Sequence, residues 1–216
     1  MVSVKKTADF EVSGDGRAAN WAAAEWINMR VQEPETETRV TKAKILYSDL
    51  GMYFLFDCQD QKVTSTIRED FGSLFKEDAV EVFLWPDQSV PVYIEYELSP
   101  LDYELILLVP NIGGRFQGWT PWHYEGDQKV KHATSVKGGE KQSNAQIKSW
   151  VAEFFIPYNV MKPLAQSPPA AGTKWRANLY RLDYDKGYTS WTWQRTTPKT
   201  RGSFHQFNKF GTLIFE

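Results

Sequence analysis

The chain has 216 residues, 25 of them basic and 27 acidic, for a formal net charge of -2. No basic block is present that could track a phosphate backbone, which argues against nucleic acid as a partner. No run reaches the ~18 apolar residues that would span a bilayer, so a membrane partner is not expected either. Hydrophobic residues make up 42% and charged residues 24%, ordinary for a chain with a substantial core. The single cysteine, Cys58, cannot close an internal disulfide and lies in an apolar run, where it reads as a buried small hydrophobe. The length suits one all-β domain over 1–216, expected as a monomer. Met1–Lys6 has no apolar stretch of the signal-peptide kind, and the compartment stays open between the cytoplasm and export after removal of a leader.

In chain order, Ala18 to Ile27 carries helical spacing and alanine content and predicts one short helix near the N-terminus. Thr41 to Tyr47 alternates, Ser48 to Gly51 is a turn, and Met52 to Cys58 reads as a largely buried strand. Ala79 to Trp85 and Val92 to Ser99 alternate strictly, which predicts one buried and one wet face, and Tyr103 to Val109 follows. Asn111 to Gly114 opens an aromatic loop with Trp119, Trp122, His123 and Tyr124. Lys129 to Val136 and Ile147 to Ile156 form a pair around Gly138 and Gly139, and Gln166 to Gly172 is an exposed connection. Trp175 to Tyr184, Thr189 to Trp193 and Phe210 to Phe215 complete about ten strands. The fold class is all-β: an antiparallel β-sandwich with jelly-roll or immunoglobulin-like layers.

Four features stand in order along this frame. Asp15, Gly16 and Trp21 form a D-G-x-x-x-x-W pattern; Ala43–Tyr47 and Met52–Phe56 are a strand pair running on to Asp57 and Asp60. Phe75-Lys76-Glu77-Asp78-Ala79-Val80-Glu81-Val82-Phe83 is an aromatic-led D-x-V-E-V-F segment, and Phe204 precedes a closing Phe210-Gly211-Thr212-Leu213. Together they resemble carbohydrate-binding module family 9, from about Asp15 to the end, in a subgroup of stand-alone or enzyme-attached domains. The resemblance implies non-catalytic binding of a mono- or oligosaccharide in polysaccharide utilisation, with no cofactor beyond a possible structural calcium. It implies a sugar held between two rings, at positions that are Phe75 and Phe204 here, with Glu81 bonding its hydroxyls. A ligand-contacting Arg of the family falls at Glu97 in this chain, a departure from the pattern.

The chemistry suits those residue types. A sugar ring stacks its C–H face on an aromatic ring, and each hydroxyl taken from water needs a partner or costs ~1–3 kcal/mol. The aromatic fraction of 15%, with 9 Trp, exceeds what one core needs. Arg68, Lys76, Asn178 and Arg181 are the further polar candidates, and His205 follows Phe204 directly. For Arg181 a structural salt bridge is the competing reading. Trp193 could wall a site, yet it shares a strand face with Trp191, which favours a core role for both. Trp119 and Trp122 either extend a groove or cap the sandwich.

An enzyme reading rests on paired carboxylates, which glycosidases hold about 5–5.5 Å or 6.5–9.5 Å apart. Glu95 and Glu97 lie on one strand face, roughly 6–7 Å apart by strand rise, although a solvated face explains them as well. A third reading is a protein–protein adaptor working through the loop from Trp119 to Tyr124. The three histidines are scattered and give no zinc pattern, and Asp57, Asp60 and Asp70 are the candidate calcium ligands.

Overall fold

The computed structural model describes residues 1–122, 124–162, 164, 168–197 and 203–216. His123, the start of the 166–172 connection and the 198–202 stretch therefore lie outside the described residues. Fourteen strands form among those described: β1 (Val2–Lys6), β2 (Ile27–Asn28), β3 (Arg30–Glu33), β4 (Thr41–Tyr47), β5 (Gly51–Gln59), β6 (Ala79–Trp85) and β7 (Val92–Leu98) come first. They are followed by β8 (Glu104–Pro110), β9 (Thr120–Pro121), β10 (Lys131–Lys137), β11 (Ser149–Pro157), β12 (Lys174–Asp183), β13 (Thr189–Thr192) and β14 (Gly211–Phe215).

One layer runs β10-β11-β5-β4, and the other runs β14-β12-β6-β7-β8-β9. Strand β1 joins them, pairing in parallel with β14 through Val2–Val4 and with β4 through Lys5 and Lys6. The expected β-sandwich is present, but its sheet is mixed and curls from one layer into the other through β1. The period of two divides each strand between inner and outer faces. Phe54 and Phe56 of β5, Phe154 of β11, Val80 and Val82 of β6 and Tyr96 of β7 all enter the central core.

The outer faces are covered as well. On the first layer, Tyr53, Leu55, Val151 and Phe155 pack beneath the N-terminal segment, with Phe10 stacked on Tyr53 at 4.1 Å. Trp21 anchors that segment by donating its indole N–H to Glu153 at 2.7 Å. Gly14 passes close against Ala133 at φ +81°, where a Cβ would stand 2.8 Å from the Ala133 Cβ.

The expected helix over 18–27 is instead a 3₁₀ turn at Ala19–Ala23, followed by β2 pairing with Ala43 and Lys42. A stretch this short is marginal as an isolated helix. Here Trp21 and Ala24 are held by burial against the sheet, and that contact sets the backbone.

Candidate functional site

The outward residues of the second layer are Glu81 and Phe83 on β6, Tyr93, Glu95 and Glu97 on β7, Leu105 and Leu107 on β8, and Asn178, Tyr180 and Leu182 on β12. This is the face that alternation predicts to be wet, and the structure corrects that expectation. Segments distant in the chain fold over it, and Leu74, Phe83, Tyr93, Leu105, Leu107, Val109, Tyr180 and Phe210 form a second apolar cluster there. Within this cover lies a cleft of about 570 Å³. Glu81, Phe83, Glu95, Leu107 and Leu182 make its floor, and Phe75, Phe116, Trp119, Tyr188, Phe204 and His205 make its walls.

Of the residues singled out from sequence, Phe75, Phe204, Glu81 and His205 meet in this cleft. The 3₁₀ turn Leu74–Lys76 places Phe75, whose carbonyl accepts the Tyr184 hydroxyl at 2.9 Å. Asp78 fixes the same corner by accepting the amides of Thr64 at 2.6 Å and Tyr184 at 2.9 Å. The Phe75 ring lies 6.0 Å from that of Trp119. Phe204 rests flat on Tyr180, with ring centroids 4.1 Å apart and planes 9° apart, and the Tyr180 hydroxyl donates to its carbonyl at 2.9 Å. His205 stacks on Phe116 at 4.2 Å and on Phe83 at 5.2 Å, with Nδ1 hydrogen-bonded to the Tyr93 hydroxyl at 2.8 Å. Burial lowers the His205 pKa to about 4, so the ring is neutral at neutral pH.

Glu97 belongs to the floor through its neighbours. Its register partner is Glu81, while Glu95 faces Phe83 two pairs further on, on the same side of the sheet. The three side chains are 1%, 4% and 0% exposed for Glu81, Glu95 and Glu97, against the expectation of a solvated pair at Glu95 and Glu97. Burial raises all three pKa values, Glu95 to about 8, and repulsion from neighbouring carboxylates adds to the rise for Glu81 and Glu97. Protons shared among them remove that repulsion.

The other candidates sit elsewhere. Arg68 and Lys76 are exposed, with the Lys76 ammonium 5.8 Å over the Phe75 ring. Asn178 is buried and ties β12 to the following turn, donating to the Gln194 carbonyl at 2.9 Å and accepting its amide at 2.9 Å. Arg181 points into the core, paired with Asp60 at 2.9 Å and Asp183 at 2.8 Å and stacked on Trp191 at 4.3 Å. Trp193 packs with Trp191 in the central core, not in the cleft. Trp122 donates its indole N–H to the Val160 carbonyl at 3.2 Å and packs on the core, whereas Trp119 walls the cleft.

Asp57, Asp60 and Asp70 do not converge. Asp57 pairs with Lys42 at 3.4 Å, Asp70 accepts the Glu104 amide at 3.1 Å, and Asp60 is held by Arg39 and Arg181. Asp60 does lie close to Asp183 and Asp185, but two guanidiniums already occupy the space between these carboxylates. That donor set does not fit a calcium ion.

Phe116 and Tyr188 are walls that sequence reasoning missed. Both lie in connections without strand periodicity, and only their aromatic character marks them.

The sequence matches the family model described as carbohydrate family 9 binding domain-like over residues 12–216. The chain belongs to that family. No curated protein matches it significantly. Among solved structures, a protein from Bacteroides uniformis provisionally assigned as carbohydrate-binding is 19% identical, covering 100% of this chain and 98% of its own, with a TM-score of 0.81. A carbohydrate-binding module of family 9 from Caldicellulosiruptor kristjanssonii, in complex with glucose, is 14% identical, covering 100% and 95%, with a TM-score of 0.69. The same module in complex with cellotriose gives 14%, 100%, 93% and 0.69. These likenesses bear out the β-sandwich.

Proposed function

We propose that the protein binds a saccharide non-catalytically in the cleft between Phe75 and Phe204, as a step in polysaccharide utilisation. The observation that carries this reading is the meeting of Phe75, Phe204 and Glu81 in one cleft, although 129 positions separate the two rings in the chain. Phe204 has one face covered by Tyr180, which leaves the cleft side for stacking. The protonated carboxyls of the floor both donate and accept, which suits sugar hydroxyls. The family 9 module that binds glucose and cellotriose shares the fold, so these two sugars are the first to test.

A glycosidase reading is less well supported. One oxygen each of Glu81, Glu95 and Glu97 lies within 4.8 Å of the others on one floor, whereas an acid and its partner must flank the scissile bond. Isothermal titration with glucose and cello-oligosaccharides tests the proposal. Binding should weaken at least about tenfold in Phe75→Ala and in Phe204→Ala, the loss of roughly one ring's stacking. Unchanged affinity in both variants would overturn it.

A further inference from the structure

Buried carboxylates elsewhere in this chain are met by donors. Glu153 accepts from the Ser13 amide and hydroxyl, the Gly14 amide and the Trp21 indole. Asp183 accepts from Arg39 and Arg181. The cleft floor is different. Glu81 Oε2 and Glu95 Oε2 receive no hydrogen bond from any described donor group, while Glu97 interacts with Glu95 and with the Phe75 backbone. Glu81 and Glu95 open directly on the cleft, and no Lys or Arg is among the described residues lining it. Two acids with orphaned oxygens at the bottom of an aromatic cleft, backed by the carboxyl of Glu97, are complementary to a cation that arrives with the ligand.

The geometry narrows which cation. One oxygen from each of the three lies within 4.8 Å of the others. A primary ammonium directs three N–H bonds tetrahedrally, and with acceptors at about 2.8 Å it spreads them about 4.6 Å apart. The walls around this seat are Phe75, Trp119, Tyr188 and Phe204, whose π-faces attract an ammonium and also stack on C–H groups. Calcium asks for about 6–8 oxygen ligands, and beyond the three acids the cleft side chains are aromatic, aliphatic or imidazole.

We propose that the cleft selects a saccharide bearing a protonated amine, an amino sugar of the 2-amino-2-deoxyhexose type, with its ammonium seated on Glu81, Glu95 and Glu97. The inference rests on the saccharide reading above and names the class of sugar that the site takes. Glu97, just behind the two cleft-lining acids, supplies one of the three acceptors. The ring stacks on the Phe walls while the ammonium takes the place of protons that the acids share when the cleft is empty.

The test is titration of the intact chain with glucosamine, glucose, N-acetylglucosamine, 2-aminoethanol and calcium chloride, each alone. Glucosamine should bind about tenfold or more tighter than glucose or N-acetylglucosamine, the worth of one charge-assisted contact set. Glu97→Gln, which removes one acidic acceptor while keeping the shape, should reduce that advantage, with folding checked by circular dichroism. Glucose or N-acetylglucosamine binding as tightly as glucosamine would overturn the amine inference and leave the saccharide reading standing. Binding of 2-aminoethanol as tight as glucosamine, or of calcium alone with no sugar bound, would overturn both. So would the failure of every sugar to bind.

Discussion

Glu81 on β6 stands directly opposite Glu97 on β7 in an antiparallel register, both side chains buried and neither faced by a basic group among the cleft-lining residues described. Like charges in such a pair repel at Cβ separations of about 4.5–5.5 Å. The fold tolerates them by keeping protons on the cluster, and this makes stability depend on pH in a definite direction. A carboxyl whose pKa is raised on folding stabilises the fold below its unfolded value of 4.5, and that contribution is lost as pH rises through the folded value. For Glu95 the window runs from 4.5 to about 8. Asp60, raised to about 7 chiefly by burial, acts with the same sign.

Thermal unfolding should therefore show a melting temperature that falls from pH 6 to pH 9, at up to about 1.4 kcal/mol per pH unit for each proton retained by the fold. Glu97→Gln removes one charge while keeping the shape, and its decline should be shallower. Calorimetry of both proteins across that range checks the prediction; parallel curves would count against it. His205 works in the opposite sense. Its pKa is lowered from 6.5 to about 4, so it contributes stability above pH 6.5 that is lost as pH falls toward 4. His205→Phe should flatten the acid side of the profile.

Arg181 should behave as a structural residue. Its guanidinium donates to Thr41 Oγ1 at 3.0 Å and the Gln59 carbonyl at 2.6 Å, besides its pairs with Asp60 and Asp183. Replacing it by Met leaves two buried acids with less compensation, a loss of about 3–5 kcal/mol. Sugar affinity, measured well below the lowered melting temperature, should be unchanged. A selective loss of binding with stability intact would place Arg181 in the site.

Much of this architecture was legible in the sequence. The alternation in Ala79 to Trp85 and Val92 to Ser99 places Val80, Val82, Ile94 and Tyr96 on one face, and that face is the central core. By the period of two Arg181 shares a strand face with Ala177, and because that face is core the salt bridge weighed for Arg181 from the sequence is the role it takes. What alternation cannot register is a cover laid on from far away. Glu95 and Glu97 read as solvated because their own strand carries no sign of Phe116, Phe204 or Phe210 arriving over them. The convergence of Glu81 with Glu97 needed the β6–β7 register, and a one-residue slip would have sent one of them to the other side.

Gly211 tests the core assignment of Trp193. A Cβ at Gly211 would lie 2.4 Å from the edge of the Trp193 indole, so Gly211→Ala forces the ring out of place. Overpacking of this kind costs about 1–3 kcal/mol. The double variant Gly211→Ala with Trp193→Phe should recover part of the loss, since the smaller ring vacates the space. Denaturant titration of the four proteins in the cycle measures the coupling; additive costs would contradict the contact.

The two tryptophans of the loop after β8 should separate binding from stability. Trp119 is 45% exposed at the cleft wall, near Phe75, and supports little else. Trp119→Ala should weaken saccharide binding several-fold while changing stability by no more than about 0.5 kcal/mol, as for an exposed side chain. Trp122 is three residues away but spends its indole N–H on Val160 and packs against the core. Trp122→Ala should cost about 2–4 kcal/mol through lost packing and leave affinity unchanged at temperatures where the variant is folded. The same pair of measurements, titration and denaturant unfolding, also addresses the adaptor reading of this loop. If Trp119 served a protein partner and not a sugar, Trp119→Ala would leave every saccharide isotherm as it was.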